Sequence, residues 1–302
     1  MRRRNFIKNS LLAAGAISLP LGNSKIFAGN AVSIQPAAGF KKSIMWGTVG
    51  MEGTVLEKCK AIKEAGFQGI EPNSHMNRKE VIDAAKGTGL SITDVCCSTH
   101  WAKPLSHPDA AVRQEGMEGI IVALEDAHAY GVDAILVVPG VVNETVTYRE
   151  CWDRSVDCIK SLIPIAEKLK VKICIENVWN NFLLSPMEAC RYVDGFNSPY
   201  VKFYFDIGNI LMYGWPEQWI HILGDRIGRI HIKEFSKKIA DSQGRWAGFN
   251  VALTEGDVNW EKVMEALRKN YTNVWLATEL GSNNTPDELK DLSKRFDKIL
   301  SL

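Results

Sequence analysis

The stretch Val171-Lys172-Ile173-Cys174-Ile175-Glu176-Asn177 decides the fold. It is a short run of β-favouring residues that follows the helical stretch Arg154–Lys168, so it reads as a strand entered from a helix. Side chains on a strand alternate faces, which sends Ile173 and Ile175 one way and Cys174 with Glu176 the other. The isoleucines suit a layer covered by helices, and Glu176 then faces inward at the strand's C-terminal end. An acid in that position needs a cation or hydrogen-bond donors to offset its burial.

Working outward, the same alternation of short β-rich runs and longer amphipathic ones covers most of the chain. Predicted strands are Ile44–Val49, Gln68–Pro72, Ser91–Cys97, Ala134–Val138, Val171–Asn177, Val201–Ile207, Ile227–Lys233 and Val274–Leu280. Helical stretches such as Val55–Glu64, Arg113–Ala129, Arg154–Lys168 and Trp260–Lys269 lie between them, each with a Gly, Asn or basic stop signal. Strict alternation implies a parallel sheet, and eight units over roughly 250 residues match a single closed (β/α)8 TIM barrel of the α/β class. No Gly-x-Gly-x-x-Gly follows the first strand, which makes a dinucleotide fold the weaker alternative.

Ahead of the barrel, Arg2-Arg3-Arg4-Asn5-Phe6-Ile7-Lys8 precedes an apolar run from Leu11 to Leu21. This resembles a twin-arginine export signal, and a Sec signal or an uncleaved anchor is the alternative. Residues 1–31 are expected to be a signal peptide, 32–42 a linker and 43–302 the barrel, with cleavage near Ala28 or Ala31, a periplasmic destination and no stable membrane anchor after processing. Of the 302 residues, 46% are apolar, enough to bury a full core. The net charge of +1 provides no long-range attraction to nucleic acid or an anionic membrane, so a small neutral ligand fits best. Seven cysteines, an odd number without zinc spacing, read as buried free thiols, with pairing left open in an oxidising compartment. A homo-oligomer is compatible with all of this.

Barrels carry their chemistry at the C-terminal ends of strands. There the last four strands place Glu176, Asp206, His231 and Glu279. Three carboxylates and an imidazole make a site for one divalent ion, with Mn2+ as the first choice and Mg2+, Co2+ or Zn2+ as alternatives. Two positions of an octahedron would stay free for neighbouring oxygens of a sugar.

These segments resemble a known family, the xylose-isomerase-like barrels of sugar (phosphate) isomerases and epimerases, including ketose 3-epimerases and L-xylulose-5-phosphate 3-epimerase. The resemblance rests on Ile175-Glu176-Asn177, Phe205-Asp206-Ile207-Gly208-Asn209, Ile230-His231-Ile232-Lys233-Glu234, Glu255-Gly256-Asp257-Val258-Asn259-Trp260 and Ala277-Thr278-Glu279-Leu280. It implies that the Glu, Asp, His and Glu bind the catalytic metal. It also implies that Glu176 and Glu279 double as bases, giving a cis-enediolate and either epimerisation or isomerisation. Both glutamates acting as ligands alone is the other possibility.

Further substrate-binding candidates are Lys233 on the face of His231, His100 and Trp101 after the third strand, Glu71 after the second, Asn209 and Trp179. Lys233 could equally be a salt-bridged lysine, and each tryptophan a packing residue. Asn209 stands where several ketose epimerases carry a substrate-contacting histidine, which separates this chain from that pattern. A nuclease of the same fold would need more histidines at strand ends and a basic surface. A small carbohydrate is therefore the expected partner, handled by a sugar epimerase or isomerase. A lyase eliminating from 3-keto-glycosides on the same metal and a non-catalytic sugar-binding barrel are the alternatives.

Overall fold

The computed structural model describes residues 39–281 and 283–302, so the expected signal over 1–31 and most of the expected linker lie outside the described residues. The described strands are β1 (Lys41–Met45), β2 (Gly69–Glu71), β3 (Ser91–Ile92), β4 (Val95–Cys96), β5 (Ala134–Val137), β6 (Lys172–Glu176), β7 (Val201–Asp206), β8 (Ile227–Ile232) and β9 (Trp275–Thr278). All pairings among them are parallel, in the order β3-β2-β1-β9-β8-β7-β6-β5-β4. The first strand starts earlier than the expected Ile44–Val49, inside the expected linker. It stops at Met45 because Trp46–Thr48 turns into a short 3-10 helix closed by a bond from Val49 N–H to the Trp46 carbonyl.

β3 and β4 are two pieces of one predicted strand, Ser91–Cys97, interrupted at Thr93-Asp94. There the Thr93 hydroxyl turns back to donate to the Ile70 carbonyl and to Asp94 Oδ1. β3 pairs with β2 and β4 with β5. The ring closes because Asn73, just past β2, bridges Cys96, whose N–H donates to the Pro72 carbonyl at 2.9 Å. The sheet is thus an eight-position barrel whose third position is β3 and β4 together.

Each position is followed by a covering helix, in chain order Val55–Glu64, Arg78–Thr88, Ala110–Tyr130, Tyr148–Leu169, Pro186–Asp194, Pro216–Leu223, Trp260–Asn270 and Pro286–Ser301. Thr54, Thr147 and Thr285 open three of these with reciprocal capping boxes to Glu57, Glu150 and Glu288. Each such cap contributes about 1 kcal/mol.

Two separate apolar clusters follow from strand alternation. Ile173, Ile175, Phe203, Phe205, Ile230 and Ile232 pack outward against the helices in the large core. Inside the barrel lies a small cluster of Cys96, Ala134, Leu136, Cys174 and Tyr204, with Met45 against it. The isoleucines and Cys174 therefore occupy the faces that alternation predicts. All seven cysteines are free, and all but Cys190 are buried. No described helix is long and apolar enough to cross a membrane.

Candidate metal centre

Above the small inner cluster the barrel interior becomes polar. Glu176 ends β6, Asp206 ends β7, His231 lies on β8 and Glu279 follows β9; one donor atom from each lies within 4.8 Å of all the others. That span is close to the roughly 4.2 Å between opposite ligands of a cation with bonds of about 2.1 Å. Asp206 Oδ1 accepts from Asn209 N–H at 2.7 Å, capping the short helix Ile207–Ile210. This leaves Oδ2 buried, facing the cluster, with no hydrogen-bond partner. A buried carboxylate oxygen without a donor is costly, and a divalent cation would satisfy it. The donor set and this orphaned oxygen both fit one hard divalent ion.

The strand ends are fixed by local chemistry. The Asn177 side chain accepts from Asp206 N–H at 2.9 Å and donates to the Asp206 carbonyl at 2.8 Å, extending the β6–β7 pairing by one amide. Gly208 is required because a Cβ there would lie 2.8 Å from both Lys233 Cβ and the Lys233 carbonyl oxygen. Glu234, fully buried, accepts from the N–H groups of Phe235, Thr254 and Val258 and from the Trp260 indole, which ties down the Glu255–Trp260 segment. In that segment Gly256 has no room for a Cβ, which would meet Glu234 Oε1 and the Phe235 carbonyl at 2.5 Å.

Charges at the site are strongly perturbed. Burial pushes Asp206 up to about 8 against the pull of Lys233, and burial with Asp94 lifts Glu71 to about 7. Glu176 is raised by burial and by Glu279. Burial also opposes ionisation of Glu279, but Lys233 and His231 hold it well below the usual carboxylate range. His231 is disfavoured as a cation by burial, yet Glu71, Glu176 and Glu279 raise it well above an ordinary histidine. The metal-free centre therefore stores repulsion among its acids, and bound protons partly neutralise it.

The two ring nitrogens of His231 face different groups. Nδ1 looks into the cluster, 3.3 Å from Glu176, 3.2 Å from Glu279 and 3.9 Å from Asp206. Nε2 lies 2.8 Å from Glu71 Oε2, with both side chains fully buried. Glu71, expected at the substrate, lies beneath the imidazole, fully buried; a bond from Nε2–H to Glu71 would leave Nδ1 facing the cluster. Tyr204 donates to Glu71 at 3.1 Å and to Asp94 at 2.8 Å, and Arg229 and Asp133 complete a polar column down the barrel axis. Sequence reading did not single out Tyr204, Asp94, Arg229, Asn177 or Glu234. Inward alternation was the available signal for two of them, Arg229 with His231 on β8 and Tyr204 with Asp206 on β7.

Glu176, Glu279, Lys233, His100, Trp101, Trp179 and Asn209 all line one cleft of about 350 Å³ over this centre. Lys233 Nζ is 3.0 Å from Glu279 and 3.7 Å from Asp206, and lies over the Phe249 ring at 4.9 Å. His100 Nδ1 accepts from Val138 N–H at 3.3 Å, which leaves Nε2 as its donor, and burial lowers the imidazole to about 4 so that it stays neutral. Asn209 Nδ2 donates to the Asn177 carbonyl at 2.9 Å, and Trp179 donates to the Asn209 carbonyl at 2.9 Å. His75, another histidine after the second strand, bonds Ser74 and Ser98 instead and does not line the cleft.

A family model described as a xylose isomerase-like TIM barrel matches residues 59–299. L-Ribulose-5-phosphate 3-epimerase UlaE of Escherichia coli O1:K1 is 26% identical over 261 residues, covering 81% of this chain and 88% of the relative. Among solved structures, 3-keto-D-glucoside 4-epimerase YcjR from E. coli superposes with a TM-score of 0.74 at 18% identity, over 87% of this chain and 100% of that one. D-Psicose 3-epimerase from Clostridium cellulolyticum H10, solved with D-tagatose, does so with a TM-score of 0.71 at 18% identity, over 86% and 98%. At these identities the structural likeness establishes the barrel, and the family match covers most of the sequence that forms it. The chain therefore belongs to the xylose isomerase-like TIM barrel family.

Proposed function

We propose that this chain is a sugar epimerase that depends on one divalent ion, Mn2+ in the first place, held by Glu176, Asp206, His231 and Glu279. The observation that carries this reading is the convergence of four donors on the floor of a cleft that Glu176 and Glu279 also line. The ion supplies polarisation of a substrate carbonyl, which acidifies the adjacent C–H. Glu176 and Glu279 then take the proton from that carbon and return one, giving an enediolate between the two transfers. Lys233, held at Glu279 and Asp206, offers an ammonium to a substrate oxygen, and His100 Nε2–H offers a neutral donor. The names of the relative and of the structural neighbours, all epimerases of small sugars, support the same chemistry.

The test follows deuterium entry from D2O into the carbon next to the carbonyl of free ketoses and of 3-keto-glycosides, with the Mn2+-loaded protein. Glu176→Gln and Glu279→Gln keep shape and one oxygen but lose basicity, and exchange should fall roughly 10²–10⁴-fold in each. Full exchange in both variants with metal retained places the base elsewhere. The second reading, elimination from a 3-keto-glycoside, shares the first proton transfer and is favoured by the tryptophans at the cleft mouth. Release of the leaving group in the same experiment distinguishes it.

We also propose export by the twin-arginine route, supported by Arg2-Arg3-Arg4 and the apolar run from Leu11 to Leu21. Replacing Arg3 and Arg4 with lysine should keep the protein in the cytoplasm. Normal periplasmic yield of that variant rejects the route.

A further inference from the structure

Two large aromatic side chains on the cleft wall are left open to solvent: Trp101 is 53% exposed and Trp246 is 62% exposed. Trp101 follows the third barrel position and Trp246 the seventh, and these are diametrically opposed in an eight-position ring. The two indoles come from different loops and line the same cleft. Both are buttressed. Trp246 packs on Trp179 with ring centres 4.8 Å apart, and Trp101 meets the edge of His100 at 5.8 Å. Buttressed indoles on the wall of one cleft present flat apolar surface at little conformational cost, a surface that suits the C–H face of a ring.

The charges argue against a phosphate at this mouth. Among the described residues that line the cleft, Lys233 is the one cation, and it is engaged by Glu279 and Asp206. The neighbouring Arg245 stacks on Trp179 and Trp246, with its guanidinium carbon 4.5 and 5.4 Å from the ring centres, and donates to the Tyr213 hydroxyl at 3.0 Å. A phosphate dianion is usually met by an Arg fork or a free lysine. Among the described residues that line the cleft, no cation is free of carboxylate partners to meet it on the wall.

We propose that Trp101 and Trp246 form an outer subsite for a second ring, the aglycone or further sugar of an uncharged glycoside, whose reacting keto-sugar lies over the four-ligand floor. This deepens the epimerase reading and rests on it for the placement of the reacting sugar. The substrate class is then a keto-glycoside and not a phosphorylated ketose. The ring outside the reacting sugar supplies binding and specificity through stacking, while the chemistry stays with the floor.

The experiment reads binding without turnover, using the Mn2+-loaded full chain and calorimetry or indole fluorescence. Probes are D-glucose, methyl β-D-glucopyranoside and phenyl β-D-glucopyranoside, beside L-ribulose and L-ribulose 5-phosphate. The phenyl glycoside should bind roughly 2- to 12-fold more tightly than the methyl glycoside for each indole that stacks. Trp101→Leu and Trp246→Leu should each reduce that gain, and the double variant should bring it below about twofold. Trp101→Phe and Trp246→Phe should keep most of it. L-Ribulose 5-phosphate should bind no more tightly than L-ribulose. Equal affinity for the methyl and phenyl glycosides overturns the proposal, as does a gain that survives in the double Leu variant or a tenfold preference for the phosphate. Ring-dependent binding without deuterium exchange in the earlier assay leaves the subsite standing and removes the epimerase reading. Exchange without ring-dependent binding does the reverse.

Discussion

Glu71→Gln tests whether the group beneath His231 sets its metal-binding nitrogen. The Nε2–Oε2 contact is 2.8 Å between two fully buried side chains, and one of them is a carboxylate. A hydrogen bond to a charged group contributes about 1.5–3 kcal/mol, which corresponds to roughly 13- to 150-fold in an equilibrium constant. Glutamine keeps an acceptor but loses the charge, so the lower end of that range applies, about 13-fold weaker Mn2+ binding. Stability should move the other way. Burial and Asp94 already lift Glu71 to about 7, so its removal relieves repulsion in the metal-free protein. The chelator-stripped variant should melt no lower than stripped wild type while its Mn2+ affinity falls, a separation that simple misfolding cannot produce. Titration calorimetry with Mn2+ and scanning calorimetry on the same samples read both quantities. A variant that binds Mn2+ within twofold of wild type refutes the positioning role.

The stripped protein should lose stability as pH rises from 6.5 to 8. Asp206 is raised to about 8, Glu71 to about 7 and His231 above its ordinary value, so the folded state holds more protons than the unfolded one throughout that interval. Mn2+ should remove most of the trend, and a melting temperature of the stripped protein that climbs between these pH values contradicts it. On the acid side His100 works in the opposite sense. Its imidazole is lowered from 6.5 to about 4 by burial, so stability is present above 6.5 and lost as pH falls toward 4, by at most about 3 kcal/mol. Urea unfolding at pH 7 and 4.5 should therefore show a smaller drop for His100→Gln than for wild type, and equal drops rule out this source.

Much of the barrel was legible because period-two alternation survives in every strand that carries a candidate ligand. Ile173 and Ile175 outward with Cys174 and Glu176 inward is a local rule, and the structure obeys it. The break at Thr93-Asp94 was not legible, since the run Ser91–Cys97 has ordinary β character. At the break the Thr93 hydroxyl bonds Asp94 and the Ile70 carbonyl, and Asp94 meets the Tyr204 hydroxyl; Ile70 and Tyr204 come from other strands, met only after the ring closes. Glu234 shows the same limit. Its neighbour His231 reads as a ligand, but the donors that bury Glu234 arrive from Thr254, Val258 and Trp260 in a later loop.

Glu71 and Glu176 make the limit physical. Both are inward acids at strand ends, on β2 and β6, so alternation treats them alike. They are separated by which nitrogen of one imidazole each approaches. Glu176 lies 3.3 Å from Nδ1, on the side of the cluster and the cleft, whereas Glu71 lies 2.8 Å from Nε2, on the side of Tyr204 and the barrel core. A cation can be shared only by groups on the Nδ1 side, and the group on the Nε2 side fixes the tautomer that lets the imidazole join them. In the proposed metal centre two acids with the same local pattern would thus take opposite roles, one a ligand and the other its support, because the closed ring brings them to opposite nitrogens of the same imidazole.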